Sequence, residues 1–341
     1  MKNNGGLIAG FAQTSTIDPL GETFCTFACN PSGGPCDGSN HSCLAFLWRN
    51  GVKEPLETLG GNNSAATGVN SRGLVIGTAE NNTQDPACMT LQLLDYKAVT
   101  WLAGRIHELP AFPGDPIAAA VGVNDSDQVV GGSGNCGSGV GISPIFVHAV
   151  LWENGSVADL SSLGGATNNL AMAISNRGHV VGFSDLAGDN TFHAFLWQKG
   201  VPMTDLNTLP GDFFSVANAI NDEDQVVGQS CDVNMNCRAF LWQRGVMTDL
   251  NSLTSPNSPL YLIGAADINT QGEIVGTCLD QSSGEQLAFL AVPCDEEHVG
   301  DQGCQDAAQS PIGLQRPKVV LPENIRQQLQ HRMPFGRFGV R

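Results

Sequence analysis

The cysteines are the side chains of this chain with the clearest chemistry. There are 11 of them in 341 residues, and several lie in short polar loops. Loop cysteines at this density are typical of disulfides formed in an oxidising compartment. Zinc is the alternative, but the chain has no Cys-x-x-Cys pair and few supporting histidines. The odd number requires at least one thiol that is free or that pairs between chains. The disulfide candidates are Cys25, Cys29, Cys36, Cys43, Cys231, Cys237, Cys294 and Cys304.

Asparagine and aspartate recur at one turn position, where they could hold calcium. Residues Asn124–Asp127 and Asn221–Asp224 look like calcium loops in their run of acids and amides. A complete calcium loop also needs a later glutamate, which both segments lack. Because Asn and Asp are frequent in hairpin turns for local reasons, we expect turns at both places. Structural calcium is the alternative, and no other cofactor is predicted.

No catalytic motif stands out. The chain contains no Gly-x-Ser-x-Gly, no His-Glu-x-x-His and no phosphate-binding loop. Pairs of acids are present, but one sequence cannot show that two carboxylates converge. Any site therefore depends on elements that bring distant residues together.

Two short motifs alternate along the chain and define a repeat. The first is Gly-x-Val/Ile-x-Gly or a close variant, as in Gly178–Gly182, and the second is Ala-Phe-Leu-Trp or a variant, as in Ala194–Trp197. All five tryptophans occupy the last position of the second motif. Successive tryptophans are about 45 to 53 residues apart, which is in or near the range of four-stranded propeller blades.

Residues 171–209 contain one complete repeat. Ala171–Ile174 and His179–Phe183 are short apolar runs separated by a turn, and His193–Trp197 and Val201–Leu206 follow after further turn signals. We therefore expect four strands, named A to D in chain order. Both faces of strand C are apolar, as blades stacked side by side require. We expect the glycine of strand B to let neighbouring sheets approach each other near the axis.

Six copies of each motif predict an all-β, six-bladed β-propeller of roughly 45- to 55-residue repeats, covering residues 1–293. The first copy begins partway through its unit, and the last stops after strand C, at Pro293. Propellers hide their sheet edges by letting the two chain ends share a blade. We therefore expect the natural chain to begin upstream of Met1, with room there for an export signal. Alternatively, Lys318–Leu321 fills the vacant edge.

The repeat resembles the HAF repeat of extracellular bacterial proteins. His193–Leu196 is His-Ala-Phe-Leu, and Asp159–Gly182 runs from Asp-Leu-Ser-Ser-Leu-Gly-Gly to Val-Val-Gly. The resemblance covers most of residues 3–293, although Ala98–Trp101 and some other units depart from the pattern. It implies secretion or surface display, and it implies no activity.

The histidine of this motif is present only at His148 and His193. A catalytic or metal-binding role would require such residues to converge, whereas these two begin equivalent strands of different blades. We therefore expect them to serve packing within the repeat.

The loops between strands B and C and the links between blades lie at one end of the sheets, around the mouth of the channel. Functional residues on a rigid scaffold usually lie in such loops. Asparagine, aspartate and aromatic side chains suit the hydroxyls and ring faces of sugars, and they equally suit a solvated rim. The binding candidates are Asn62, Asn63, Asp115, Asn168, Asn169, Asp212, Phe213, Phe214 and Tyr261.

The C-terminal tail, residues 294–341, lies outside the repeats. Pro322–His331 predicts a short helix, with proline in its first turn and Ile325 and Leu329 four residues apart. Six of the chain's 16 lysines and arginines lie between residues 316 and 341. Such a tail either docks on the acidic body or stays flexible.

The charge and composition of the chain limit the classes of partner that it can bind. The formal net charge of −17 argues against nucleic acid as a partner of the main domain. No apolar run reaches the roughly 18 residues of a transmembrane helix. Three functions stay open: a secreted or surface binding module for a polysaccharide, cell-wall component or protein; a hydrolase or lyase acting on polysaccharide at the channel mouth; and self-assembly through the incomplete blade.

Overall fold

Each repeat folds as an antiparallel meander, because the turn residues between its apolar runs reverse the chain after every strand. The computed structural model describes residues 6–22, 41–84, 93–135, 145–255, 258–294 and 317–332. Within these residues six sheets form a six-bladed β-propeller, which confirms the predicted fold class. Four sheets contain four strands, and the first and last contain three.

The strands are numbered in chain order and grouped by blade. Blade one contains β1 (Ile8–Ile17), β2 (His41–Arg49) and β3 (Val52–Pro55). Blade two contains β4 (Gly60–Val69), β5 (Val75–Gln84), β6 (Leu94–Leu102) and β7 (Arg105–Glu108). Blade three contains β8 (Ile117–Val123), β9 (Val129–Asn135), β10 (Ile145–Glu153) and β11 (Ser156–Asp159). Blade four contains β12 (Gly164–Ile174), β13 (Val180–Leu186), β14 (Phe192–Gln198) and β15 (Val201–Asp205). Blade five contains β16 (Phe214–Ile220), β17 (Val226–Cys231), β18 (Cys237–Gln243) and β19 (Val246–Asp249), and blade six contains β20 (Leu260–Ile268), β21 (Ile274–Asp280) and β22 (Gln286–Ala291).

The two incomplete blades match the two incomplete repeats. Among the described residues, blade one has no strand A and blade six has no strand D. Lys318–Leu321 forms no strand, so it does not fill the vacant edge. A 3₁₀ turn, Leu250–Leu253, follows blade five, and helix α1, Glu323–Arg332, confirms the helix predicted in the tail. None of the described helices has the length and hydropathy needed to span a membrane.

The glycine of strand B is required by strand A of its own blade. A Cβ atom on Gly182 would overlap the carbonyl oxygen of Leu170, and one on Gly228 would overlap that of Val216. At this point strand A shifts register, as between Ala171 and Ala173. The expected contact between neighbouring sheets is therefore wrong: the bulge of strand A presses its backbone onto strand B of the same sheet.

Neighbouring blades are joined by apolar clusters made from the facing sides of two sheets. Five such clusters link blade one to two, two to three, three to four, four to five and five to six. Motif tryptophans add hydrogen bonds to the outer edge of the preceding blade: Trp101 Nε1 donates to Glu57 O over 2.9 Å, and Trp152 Nε1 donates to Pro110 O over 2.7 Å. At these two positions the motif tryptophan therefore helps to join neighbouring blades.

The asparagine of the A–B turn also joins neighbouring blades. Asn124 Oδ1 accepts from the backbone nitrogens of Ser126 and Gln128 within its own turn, both over 3.0 Å. Its Nδ2 donates to Ser175 O of the next blade over 3.0 Å. Asn70 and Asn221 make equivalent contacts to the following blades. These contacts agree with the predicted turns at the calcium-like segments.

Candidate functional site

The basic residue that precedes Ala-Phe-Leu-Trp or its variant pairs with an acid of its own blade or of the link before that blade. His148 Nδ1 lies 2.9 Å from Asp115 Oδ2, and His193 Nδ1 lies 2.9 Å from Asp205 Oδ1. Arg238 takes the same position in blade five and contacts both Asp212 and Asp249. The two histidines therefore have the packing contacts expected for repeat residues, each within its own unit or its link.

The described part of the tail lies on the loop end of blades four to six. Lys318 Nζ forms an ion pair with Asp212 Oδ1, and lies 3.1 Å from Asp232 Oδ2. The backbone then extends across two side chains: Val319 N donates to Tyr261 Oη over 3.3 Å, and Leu321 N donates to Asn236 Oδ1 over 2.9 Å. The tail was expected either to dock on the acidic body or to stay flexible, and its described part docks on the body.

Helix α1 begins immediately after this extended segment, because Pro322 sets its first turn and accepts from Ile325 N and Arg326 N, both over 3.0 Å. Ile325 and Leu329 are buried, and together with Leu321 they pack into one apolar cluster with the strand ends of blades three to six. The cluster residues of the blades are Phe146, Leu170, Phe183, Phe192, Phe214, Val216, Cys231, Cys237, Tyr261, Ile263 and Leu279. We call these residues, with Asp212 and Asn236, the tail-binding surface.

Three sequence-predicted candidates belong to the tail-binding surface. Asp212 has no exposed side-chain area, Phe214 is buried within the apolar cluster, and Tyr261 is 1% exposed. Phe213 lies beside them and stays 37% exposed. The structure thus brings together the candidates from blades five and six, and two of them, Asp212 and Tyr261, contact the chain's own tail.

The acids beside the tail are paired with two cations of the chain, Arg238 and Lys318. Arg238 Nη2 lies 2.8 Å from Asp212 Oδ2. Burial tends to lower the pKa of Arg238, but Asp212 and Asp249 outweigh it and raise that pKa. Burial would raise the pKa of Asp232, but hydrogen bonds from Asn236 and Lys318 lower it overall. Burial raises the pKa of Tyr261 to about 12, so its phenol stays protonated.

A disulfide confirms the predicted pair Cys231–Cys237 and closes the loop that carries Asn236. Cys43 and Cys294 are also disulfide-bonded. Within the described residues Cys278 is a free, buried thiol, and burial raises its pKa. Cys25, Cys29, Cys36 and Cys304 lie outside the described residues.

The other binding candidates lie in strands or links of blades two to four. Asn62 and Asn63 belong to β4, whereas Asn168 and Asn169 belong to β12. Asn63 and Asn169 are each 1% exposed, because they bond to the preceding blade: Cys43 N donates to Asn63 Oδ1 over 2.8 Å, and Asn169 Nδ2 donates to Val147 O over 2.8 Å. Asp115 is held by His148, as described above. Recognition of a ligand by these residues stays a prediction.

An acid in strand B accepts hydrogen bonds from the first residues of strand A of the same blade. In blade four, Asp185 Oδ2 accepts from Thr167 Oγ1 over 2.6 Å and from Asn168 N over 3.0 Å. In blade two, Glu80 occupies the same place and accepts from the backbone of Asn62 and Asn63 over 3.1 and 3.0 Å. Burial raises the pKa of Asp185.

Blade two differs from blade four because two further acids join Glu80. Asp18 and Glu22 follow β1 of blade one, and one oxygen of each of the three carboxylates lies within 4.8 Å of one from each of the others. Asp18 and Glu22 are each 2% exposed and Glu80 is 0% exposed. Burial raises the pKa of Glu22, and the charge of Asp18 raises it further.

Sequence reasoning missed this acid cluster. Asp18 and Glu22 lie in the irregular segment between strands B and C of the first repeat, which the two repeat motifs do not cover. The available signal was Glu80, an acid three residues after Gly77 of the Gly-x-Val/Ile-x-Gly motif of blade two, matched by Asp185 after Gly182 in blade four.

Comparison with known proteins is sparse. No family model and no curated protein matches the chain, so the resemblance to the HAF repeat stays a prediction. Among solved structures, the β-propeller domain of the Trilobed protease from Pyrococcus furiosus, described as having an open velcro topology, is similar at a TM-score of 0.37 and 10% identity, covering 85% of this chain and 91% of that chain. A likeness this distant says nothing about function.

Proposed function

We propose that this chain is an extracellular binding module that recognises a polypeptide segment through the tail-binding surface. One observation carries the proposal: this surface holds an extended segment and an amphipathic helix of the chain itself, through backbone, apolar and ionic contacts. Each contact type is one that proteins use to bind peptides in trans.

The chemistry of the surface favours a polypeptide over a polysaccharide. Tyr261 and Asn236 accept from main-chain N–H groups, which a polypeptide presents at regular intervals along an extended segment. Leu321, Ile325 and Leu329 enter an apolar cluster that offers few polar groups to sugar hydroxyls. Asp212 and Asp232 receive a lysine. The preferred ligand is therefore a basic residue followed by spaced aliphatic residues.

Extracellular placement is the second part of the proposal, and the disulfides support it. Cys231, Cys237, Cys43 and Cys294 are all oxidised in the folded chain. Disulfides persist in oxidising compartments and are rare in the cytosol. Non-reducing mass spectrometry of the protein recovered from cell fractions tests this placement. Recovery in a reduced cytosolic form would contradict it.

The binding test uses the full chain with its tail weakened. Ile325→Asp puts a charge into the apolar cluster, whereas Gln330→Asp changes an exposed residue of the same helix. We expect the Ile325→Asp protein to bind a synthetic peptide of residues 317–332 saturably, because its own tail no longer competes. Wild type and Gln330→Asp should bind the peptide more weakly. A peptide library and a cell-wall polysaccharide panel are then tested on the same proteins.

The proposal fails if Ile325→Asp binds neither the tail peptide nor any library peptide. It also fails if that variant binds only polysaccharides, because the tail-binding surface would then recognise hydroxyl-rich ligands. Far-UV circular dichroism of the variant checks that the blades stay folded in both cases.

Self-assembly is a second candidate, and the edge of blade six favours it. In the described chain no strand pairs with the outer side of β22. Leu287 and Leu290 on this strand are 41% and 61% exposed. An unpaired strand with exposed apolar residues can pair with a second copy. Sedimentation of wild type and of Leu290→Lys distinguishes the cases, since only a dimer through β22 would dissociate.

A further inference from the structure

We propose that Asp18, Glu22 and Glu80 bind a hard divalent cation, Ca²⁺, between blades one and two. The site is separate from the tail-binding surface and does not depend on the function proposed for it. It also differs from the calcium-like turns at Asn124–Asp127 and Asn221–Asp224, whose Asn124 and Asn221 side chains bond to turn backbone and to the next blade.

The geometry brings three carboxylates to one buried point. Their ligand oxygens lie within 4.8 Å of one another, and all three residues are at most 2% exposed. Like charges at this separation repel strongly when water is excluded. A divalent cation removes this repulsion, because each carboxylate then faces an opposite charge.

The protein partners of Asp18 and Glu22 among the described residues are neutral. Asp18 accepts from Leu20 N over 2.8 Å and from Asn63 Nδ2 over 2.7 Å. Glu22 Oε1 accepts from Leu93 N over 2.6 Å and from Leu94 N over 2.7 Å. These amides orient the carboxylates but supply no positive charge.

Within the described residues one oxygen of this cluster has no hydrogen-bond partner, and this observation is independent of the number of acids. Glu22 Oε2 is buried and unpartnered, although Oε1 of the same carboxylate accepts two amides. A buried acceptor left unsatisfied is costly, and buried polar atoms in native proteins nearly always have partners. A cation held by the three carboxylates would satisfy this oxygen.

The donor set identifies the class of ion. Every candidate ligand is a carboxylate oxygen, and the group contains no histidine and no cysteine. Oxygen ligands of this kind suit Ca²⁺ and Mg²⁺, whereas zinc and copper favour nitrogen or sulfur. Ca²⁺ accepts irregular sets of six to eight oxygens, in which water supplies the rest, but Mg²⁺ demands near-octahedral geometry. Three carboxylates from two blades make an irregular set, so Ca²⁺ is preferred.

Blade four provides a matched control within the same chain. Asp185 occupies the place of Glu80 and accepts from Asn168 N as Glu80 accepts from Asn62 N, but within the described residues no three-acid group forms around it. Any effect that arises from removing an acid at this repeat position should appear in both blades. An effect that arises from a cation should appear only in blade two.

The test measures Ca²⁺ binding by calorimetry and thermal unfolding in chelator and in Ca²⁺, on the full chain. We expect wild type and Asp185→Asn to bind Ca²⁺ and to unfold at a higher temperature when it is present. Glu80→Gln and Glu22→Gln should weaken binding by at least about tenfold, since each removes a charged ligand. In chelator, Glu22→Gln should be no less stable than wild type, because one repulsive charge is gone.

Several results would overturn the site. The site is overturned if wild type binds no Ca²⁺, or if Glu22→Gln binds Ca²⁺ as wild type does. It is also overturned if Asp185→Asn loses binding as fully as Glu80→Gln. If Glu22→Gln fails to fold, Asp18→Asn replaces it, with the same expected loss. Mg²⁺ serves as the competing ion, and Mg²⁺ bound more tightly than Ca²⁺ would contradict the assignment.

Discussion

Two buried groups of acids in this propeller are neutralised in different ways. Asp212 in blade five has no exposed side-chain area and is paired with Arg238 and Lys318. Glu22, beside blade two, is 2% exposed, and its Oε2 has no partner. Blade five therefore takes its counter-charges from the chain, one from the repeat and one from the tail. In blade two the described residues supply no cation to Asp18 or Glu22, and the proposed counter-charge comes from solution.

The difference shows how a repeat scaffold acquires specific sites. The blades place an acid, a basic residue and a link at equivalent points, and these positions serve packing. A site arises where a segment outside the repeat adds groups to such a point. Asp18 and Glu22 do so for blade two, and Lys318 does so for blade five.

The largest effect is expected from removing Asp212, the acid that Arg238 and Lys318 share. Asp212→Asn leaves Arg238, which is 11% exposed, with only part of its counter-charge. Breaking one partner of a buried ion pair costs about 3 kcal/mol or more of unfolding free energy. Urea unfolding measures this loss, and hydrogen exchange over residues 317–332 reports release of the tail. Glu153→Gln, in an exposed pair with Lys199, is the control and should change little. Equal losses in the two variants would show that burial of the Asp212 pair is unimportant.

The second prediction concerns the disulfide that supports the tail-binding surface. Cys231–Cys237 closes a loop with a sequence separation of 6, and Asn236 in that loop accepts from Leu321 N. Cys231→Ser with Cys237→Ser should lower the unfolding free energy by about 2 kcal/mol, because the unfolded chain is no longer constrained. The tail peptide should also bind this variant less well. Unchanged stability in non-reducing urea unfolding would contradict the prediction.

The third prediction separates the contribution of the tail from that of the repeat. Lys318→Met removes the tail cation but leaves Asp212 paired with Arg238. We expect a loss of about 1 kcal/mol, since Lys318 is 28% exposed and its pairs are partly screened by water. Limited proteolysis should cut residues 317–332 faster than in wild type. Lys199→Met is the matched control, and equal proteolysis of both variants would show that Lys318 does not hold the tail.

The sequence predicted the blades because each repeat carries its own local signals. Ala194–Trp197 and the Gly178 turn specify a strand and a hairpin wherever they occur, so the number of blades follows from counting motifs. The same local reasoning placed Asn63 and Asn169 in links, whereas the structure extends β4 and β12 to include them. Asn63 and Asn169 each bond to the preceding blade, a contact that a single repeat does not show.

The sites could be predicted only in part, because they depend on contacts between distant segments. Asp212 and Tyr261 were singled out from their loop positions, but Lys318 is 106 residues from Asp212 and matches no motif. Asp18 and Glu80 are joined by Asn63, which is 45 residues from one and 17 from the other. Nothing in a local pattern shows that β1 and β5 bring these acids together.

The smallest predicted effect is a difference in pH dependence between Asp232 and Asp185. Burial would raise the pKa of Asp232, but Asn236 and Lys318 lower it, so its ionised form stabilises the fold. That stabilisation is present above the unfolded pKa and is lost as pH falls through the lower folded pKa. Burial raises the pKa of Asp185 instead, so its contribution is complete below the unfolded pKa and is lost as pH rises through the folded pKa.

The two residues should therefore respond to acid with opposite signs. Between pH 7 and pH 3, wild type should lose stability relative to Asp232→Asn and gain stability relative to Asp185→Asn. Each change should be about 1 kcal/mol or less, because solvent screens both carboxylates in part. Urea unfolding of the three proteins across this range measures both differences. If the two differences have the same sign, then counter-charge from the tail does not distinguish blade five from blade four. The contrast between acids neutralised by the chain and acids left to solvent or solution ions then does not hold.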